Sequence, residues 1–445
     1  MKLTSSLPWP RQFAVAVLAV SLVAPVAWAQ ESTSTTNAPP GASHTLDALV
    51  AEALEKNPEL KFYDAEIAAA KAGRRTAGLL ANPELSGGVG QKRVTGGGLS
   101  AEGVAWSVSL VQPFEWPGRI GLRKAIANQD IELAHLGYER FKIALAGRVR
   151  TLAYGLFAAQ EKSAAATEVA ERFKALREVL VQRDPAGLTP LLETRVIEAT
   201  ELNAQRRASE AALATQAALL ELNQLRGASP DTRLTISQAN LAFRPPPQDR
   251  SALITLARTN NFELRVRAVE LAQQGFRVDL AKNERYPSIS VGPTFSEENA
   301  GNDRERIIGV GISLPLPLWN RNKGNIEAAA ARQMQAEVSL NVTEREIQRR
   351  VIEAALTYET KLREMAKWRP DSVQHFREAA EVADRHYRLG AVPISTYVEL
   401  QKQYLDAVEG LLDTKKEALD AAAQLELLTG LPLPLSQITP TEEKK

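Results

Sequence analysis

Residues 104–117 read V-A-W-S-V-S-L-V-Q-P-F-E-W-P, and residues 308–321 read I-G-V-G-I-S-L-P-L-P-L-W-N-R. In each, large apolar residues alternate with small ones until a proline ends the run. Val104, Trp106, Val108 and Leu110 interleave with Ala105, Ser107 and Ser109. Ile308, Val310, Ile312 and Leu314 interleave with Gly309, Gly311 and Ser313. A two-residue period predicts strands with two unlike faces. The stretches lie 204 residues apart, and the same offset carries Leu49 to Leu253, Asn57 to Asn261, Pro83 to Pro287 and Tyr154 to Tyr358. Such a repeat far exceeds the roughly 20–50 residues of a solenoid unit. One large unit is written twice.

Each alternating run has a partner just before it. Residues 84–91 and 103–113 form one predicted hairpin, 84–113, with its tip at Gly96-Gly97-Gly98. The second spans 287–317, with Ile289, Val291 and Phe295 alternating and a polar turn from Asn299 to Asp303. Four strands of about 8–11 residues suit the span of an outer-membrane strand. Four cannot close a barrel, and open edges are not tolerated in lipid. Three copies would close a twelve-stranded barrel, which predicts a homotrimer set in outer-membrane lipid. The eight large residues Val104, Trp106, Val108, Leu110, Ile308, Val310, Ile312 and Leu314 would face lipid, and the small ones the lumen. Two ordinary hairpins capping a soluble helical rod are the alternative reading of the same pattern.

Long stretches almost free of breakers follow the hairpins, at 118–182 and 324–388. Each would be about 97 Å long at 1.5 Å per residue. Leu145, Val149, Leu152 and Leu156 step by 4, 3 and 4, the spacing of a coiled coil. Val169, Phe173, Leu176 and Leu180 do the same, as do Phe376, Ala380, Ala383 and Tyr387. Pro370 should kink the second long helix. Turns at Asp184–Gly187 and Leu389–Pro393 reverse the chain into return helices at 189–227 and 394–429. The helices before the hairpins, 45–80 and 251–284, are equally short. A return helix and a pre-hairpin helix placed end to end would match one long helix. The predicted fold class is mainly α, a trimeric helical barrel topped by a small transmembrane β-barrel, with internal duplication. Its first repeat covers 45–227 and its second 251–430, joined by a proline-containing linker, 228–250, and followed by a flexible tail, 431–445.

Residues 1–29 read as a signal peptide: Lys2 and Arg11, an apolar run from Phe13 to Val23, then Ala27-Trp28-Ala29 before Gln30. Residues 30–44 link it to the first helix. The chain has no cysteine, which excludes disulfides, thiolate ligands and a lipidated N-terminal cysteine. With 54 Lys+Arg against 53 Asp+Glu, no basic face suggests nucleic acid. His44, His135, His375 and His386 lack metal-ligand spacing, and the glycines at 87–90 and 96–98 lack a phosphate loop's strand–loop–helix setting. No catalytic residue, metal site or cofactor is expected, and the chain does not read as an enzyme. The rival classes are an exported coiled-coil adaptor or scaffold protein and a soluble periplasmic binding protein or enzyme.

Three segments carry a family resemblance: Q-P-F-E-W-P-G-R at Gln112–Arg119, L-P-L-P-L-W-N-R at Leu314–Arg321, and Y-R-L-G at Tyr387–Gly390. With the helix–hairpin–long-helix plan, they resemble the TolC-type outer-membrane efflux proteins over essentially the whole mature chain. Leu316–Asn325 is similar to the branch serving heavy-metal exporters of the cobalt–zinc–cadmium type. The resemblance implies a passive trimeric duct in the outer membrane of a Gram-negative bacterium, with a periplasmic helical extension. It implies a periplasmic adaptor protein, an inner-membrane pump of the proton-driven resistance type, and export of heavy-metal cations or other small toxic compounds. Gly187, Leu389 and Gly390 would then be adaptor-contacting turns. In that family acids one turn apart follow the turn glycine at the closed end. Those positions fall on Thr396 and Glu399, with Glu193 as the expected first-copy counterpart of Glu399. Tyr387 and Arg388 would hold the turns closed and complete the expected constriction.

Overall fold

The computed structural model describes residues 43–96, 99–183, 191–236, 241–245, 249–369, 371–433 and 436–438. The signal peptide, the Gly97-Gly98 tip, the 184–190 turn with Gly187, and Pro370 lie outside them. The first copy runs β1 (Ser43–His44), α1 (Leu46–Lys56), α2 (Leu60–Ala77), β2 (Glu84–Gly96), β3 (Leu99–Phe114), α3 (Arg119–Arg183) and α4 (Leu191–Leu225). The linker carries β4 (Thr235–Ile236) and β5 (Leu241–Phe243). The second copy runs α5 (Arg250–Asn260), α6 (Phe262–Asn283), β6 (Ile289–Ala300), β7 (Asp303–Ser313), α7 (Lys323–Met365), α8 (Ser372–Arg388) and α9 (Ile394–Thr429), and β8 (Ser436–Ile438) follows.

The hairpins join into one antiparallel sheet in the order β2-β3-β6-β7. Pairing is longer than the apolar alternation alone predicts, from Glu84 opposite Val111 to Gly96 opposite Leu99. The extra pairs belong to charged residues near the tips, where Arg93 donates to Glu102 at 2.6 Å and Arg306 to Glu297 at 2.9 Å. Opposed residues share a face. Val89 lies opposite Trp106, Val108 opposite Phe295, and Phe295 opposite Ile308, all on the apolar face. Ser86 lies opposite Ser109 with hydroxyls 2.7 Å apart, and Gly292 lies opposite Gly311 on the small-residue face.

The first long helix is continuous, with 65 residues in α3. The second is broken outright between Met365 and Ser372, where a kink is expected, so it becomes α7 and α8. Leu145, Val149, Leu156, Val169, Phe173 and Leu176 form the core stripe of α3 and are buried against α4 and α9 residues such as Ile197, Tyr397 and Leu405. Each such side chain contributes roughly 1.5–3 kcal/mol by leaving water. Phe376, expected in the matching α8 stripe, is instead exposed; Ala380 and Ala383 are buried.

Both pre-hairpin helices break at the repeated asparagine. Asn57 Nδ2 donates to the Leu225 carbonyl at 2.8 Å, and Asn261 Nδ2 to the Leu428 carbonyl at 2.7 Å. These bonds satisfy carbonyls that the ends of α4 and α9 leave without a helical partner. Gly227 and Gly430 follow with φ of 65° and 71°, a left-handed conformation suited to glycine. α4 and α2 therefore lie in series along α3, and α9 and α6 along α7, as the helix lengths predict. Part of the tail expected to be flexible is paired instead, Ser436–Ile438 with Leu241–Phe243, and Ser43–His44 at the end of the N-terminal linker pairs with Thr235–Ile236. The linker, whose Arg244 carbonyl accepts from buried Tyr358 at 2.8 Å, supplies both partner strands, β4 and β5.

Candidate functional site

Two regions carry candidate function: the sheet and the turn at the far end of the helices. On the sheet, the eight large residues expected on one face are all exposed in the single chain, Val310 and Ile312 at 73%. The opposite face carries mainly Ser, Gly, Ala and Thr along its middle, and toward the tips the ion pairs of Lys92 with Glu298 and Glu305. Below the strands, Trp116 stacks on Tyr286 with centroids 4.7 Å apart, placing paired rings at the base of the apolar band. Outer-membrane barrels carry such aromatic girdles at the lipid–water boundary. Arg119 fastens the two copies there. It donates to the Tyr286 carbonyl at 2.6 Å, to Asn283 Oδ1 at 3.1 Å and to Ser288 Oγ at 3.2 Å.

At the second helical turn the chain reverses over Leu389–Pro393. Gly390, at φ 72°, lets its own amide reach the Tyr387 carbonyl and the Ala391 amide reach the His386 carbonyl, each at 2.9 Å. Tyr387 stacks on Tyr397 at 5.3 Å, and Phe173 meets the Tyr397 ring edge-on at the same distance. These rings tie α3, α8 and α9 together. Arg388 Nε donates to Asp384 Oδ2 at 2.9 Å. The Tyr397 hydroxyl and Asp384 Oδ1 are both buried. Burial and then the Asp384 charge push the Tyr397 hydroxyl above its usual range. Tyr387 is raised by burial and then by Glu193, which places that carboxylate near its ring.

Glu193, Tyr387, Arg388 and Gly390 line one open cleft of about 620 Å³, together with Leu176 and Leu180. Thr396 and Glu399 are exposed and lie outside it; among the described residues Glu399 accepts only from Gln403, at 2.9 Å. The expected equivalence of Glu193 and Glu399 is also corrected. Burial repeats at the 204 offset here, pairing Ile197 with Gln401, Glu201 with Leu405 and Ala204 with Val408. That register matches Glu399 with Arg195 and Glu193 with Tyr397. A two-residue shift rotates a helix position by about 200°, so the expected pairing would place one acid on the wrong face. Asp384 and Tyr397 escaped the sequence reading, and Phe173 entered it only as part of the core stripe; the i, i+4 spacing of Asp384 and Arg388 was the available signal.

Among the described residues, no group of His, Cys, Asp and Glu could hold a metal ion, and no helix is long and apolar enough to cross a membrane. The sequence profile described as outer membrane efflux protein matches residues 49–228 and 253–431, one match on each copy. No curated protein matches the chain. Among solved structures, the outer membrane channel CmeC of Campylobacter jejuni is 18% identical with a TM-score of 0.69, covering 87% of this chain and 86% of its own. A Pseudomonas aeruginosa membrane protein is 21% identical with a TM-score of 0.70, covering 87% and 90%. CusC, whose structures concern transmembrane channel formation, is 15% identical with a TM-score of 0.68, covering 88% and 93%. These likenesses establish a shared fold.

Proposed function

This chain belongs to the outer membrane efflux protein family, and from that premise we propose that three copies form the exit duct of a tripartite efflux pump. Membership makes it a passive outer-membrane channel rather than an enzyme, with its helices in the periplasm. The observation that carries the trimeric reading is the sheet: four strands with one apolar face, one small-residue face, and no strand partner beyond β2 or β7 among the described residues. Such a sheet needs neighbours to be stable in lipid.

A periplasmic adaptor would dock on the helical turns at Leu389 and Gly390, and at the turn carrying Gly187. An inner-membrane pump of the proton-driven resistance type would supply the energy. Heavy-metal cations or other small toxic compounds are the proposed cargo, on the strength of the Leu316–Asn325 segment. At the inner mouth, three Glu399 carboxylates around a narrow axis would focus a field that favours cations. Thr396, Tyr387 and Arg388 would complete that constriction. Glu193, half-buried beside Tyr387, has the smaller part.

The test is direct. The native protein should fractionate with the outer membrane as a detergent-requiring trimer. In planar bilayers Glu399→Gln should lower cation selectivity and weaken divalent block, and Glu193→Gln should change them less. A soluble monomer would defeat the channel reading. Unchanged selectivity in a working trimeric channel would remove Glu399 from the constriction.

A further inference from the structure

The apolar face of the sheet ends abruptly on β7. Ile312, Val310 and Ile308 form its exposed row, Ile308 at 81%, and the next residue in that row is Arg306, followed by Arg304. Side chains two residues apart on a strand share a face and stand about 7 Å apart. Arg306 therefore sits one step beyond Ile308, and Arg304 two. Pairing sets Glu297 opposite both Arg306 and Trp106, and Trp106 packs on Phe295 with ring centroids 5.2 Å apart. Aromatic rings and the first charges stand at one level, at the end of the apolar band away from Trp116 and Tyr286. That is the pattern of a lipid–water boundary in an outer-membrane barrel.

The two guanidiniums share one carboxylate. Glu297 is only 9% exposed; its Oε2 accepts from Arg306 Nε at 2.9 Å, and its Oε1 lies 3.3 Å from Arg304 Nε. Each arginine is thus held by its inner nitrogen. Among the described residues neither donates a hydrogen bond from its terminal nitrogens, and both side chains are well exposed, at 59% and 60%. Two cations on one carboxylate leave a net positive charge. The other charges at this end are matched elsewhere: Arg93 with Glu102 on the same face, and Lys92 with Glu298 and Glu305 on the small-residue face. A guanidinium anchored through Nε keeps both terminal amino groups for a second anion, and its planar fork suits two oxygens of a phosphate.

Resting on the outer-membrane channel reading, we propose that Arg304 and Arg306 bind the phosphate headgroup of a membrane lipid whose acyl chains lie on Ile308, Val310 and Ile312. A lipid is favoured over free phosphate because the apolar row begins at the residue next to the arginines, so one molecule meets both surfaces. A phosphomonoester carries about 1.5 to 2 negative charges near neutral pH, enough to engage two guanidiniums that already share a carboxylate. Glu297 is a positioning residue: it aims the forks and does not touch the lipid.

Native mass spectrometry of the full protein, purified in neutral detergent and mixed with diphosphoryl lipid A, reads the site directly. The wild type should retain lipid A. Losing a charged hydrogen-bond donor costs about tenfold or more in affinity, so Arg304→Gln with Arg306→Gln should cut retention by at least that factor. Arg304→Lys with Arg306→Lys keeps the charge without the forks and should fall between the two. Arg93→Gln removes an equal charge from the same face and should change retention little. A glutamine pair that loses nothing, a lysine pair that matches the wild type, or an equal loss in Arg93→Gln overturns the site. Lipid A stripped of its phosphates should be retained no better by the wild type than by the glutamine pair; retention equal to that of the diphosphoryl form overturns phosphate recognition. A large excess of inorganic phosphate should leave lipid A bound, and displacement would make this a free-anion site instead. Size-exclusion profiles identify any variant that fails to assemble, and single substitutions then replace the pair. A wild-type protein that is a soluble monomer defeats the channel reading itself, whereas loss of the site in an intact membrane trimer leaves that reading standing.

Discussion

Where the first copy runs a single helix of 65 residues, α3, the second breaks it between Met365 and Ser372. The break accompanies a change of side-chain size. Trp368 stands where the first copy has Ala164, and Gly410 where it has Arg206. A Cβ added to Gly410 would sit 3.2 Å from the Trp368 ring, so the indole packs on a glycine that leaves it room. Strand registers and helix joints, by contrast, are the same in both copies. The registers are fixed by backbone hydrogen bonding, which depends little on side-chain identity, and the joints by the repeated asparagine side chains, whereas a helix face answers to its particular neighbours. α3 packs on helices of both copies, and α7 on those of its own copy.

The strongest way to break this equivalence is to put charge on the apolar face of the sheet. Val108→Arg and its mate Ile312→Arg should each cost roughly 2–4 kcal/mol per site near a bilayer midplane, three times over in a trimer. Trimer yield in detergent should fall alike for both, while Ser109→Arg on the opposite face is better tolerated. Equal yields from the two faces would mean the facing is wrong.

The joints give a graded comparison. Gly227→Ala places a Cβ 2.8 Å from the Lys56 carbonyl oxygen, whereas Gly430→Ala would overlap the Asn260 carbonyl oxygen. Left-handed strain of about 1–3 kcal/mol applies at either site. Thermal melting should show both variants destabilised, Gly430→Ala the more. The reverse order would mean that the joints are not equivalent.

The smallest effect concerns the core. Glu426 is buried where the first copy, counted back from the joint glycine, has buried Asn223. Burial raises its pKa above 4.5, opposed by Arg150 at 3.5 Å. A carboxyl shifted upward contributes stability that is fully present below its unfolded pKa and lost as pH rises through its folded value. Stability from this group should therefore decline above about pH 4.5 in the native protein. Glu426→Leu should flatten that decline and leave the protein neutral to about 1 kcal/mol more stable at pH 7. A clear loss of stability at pH 7 would show that the pairing with Arg150 outweighs burial.

Much of this architecture was legible in the chain itself. The alternation around Val108 and Ile312, the 204 offset, and the bounds of α3 and α9 follow from local periodicity and from glycine and proline punctuation, which act over a few residues. Which residues meet at the turn did not. Glu193, Tyr387 and Arg388 converge on one cleft while Glu399 stays outside, because rotation about a helix axis is set by packing against neighbours far away in sequence. The pairing of Ser436–Ile438 with Leu241–Phe243 was equally hidden, since three residues hold no period and only the linker strand beside them supplies their hydrogen bonds.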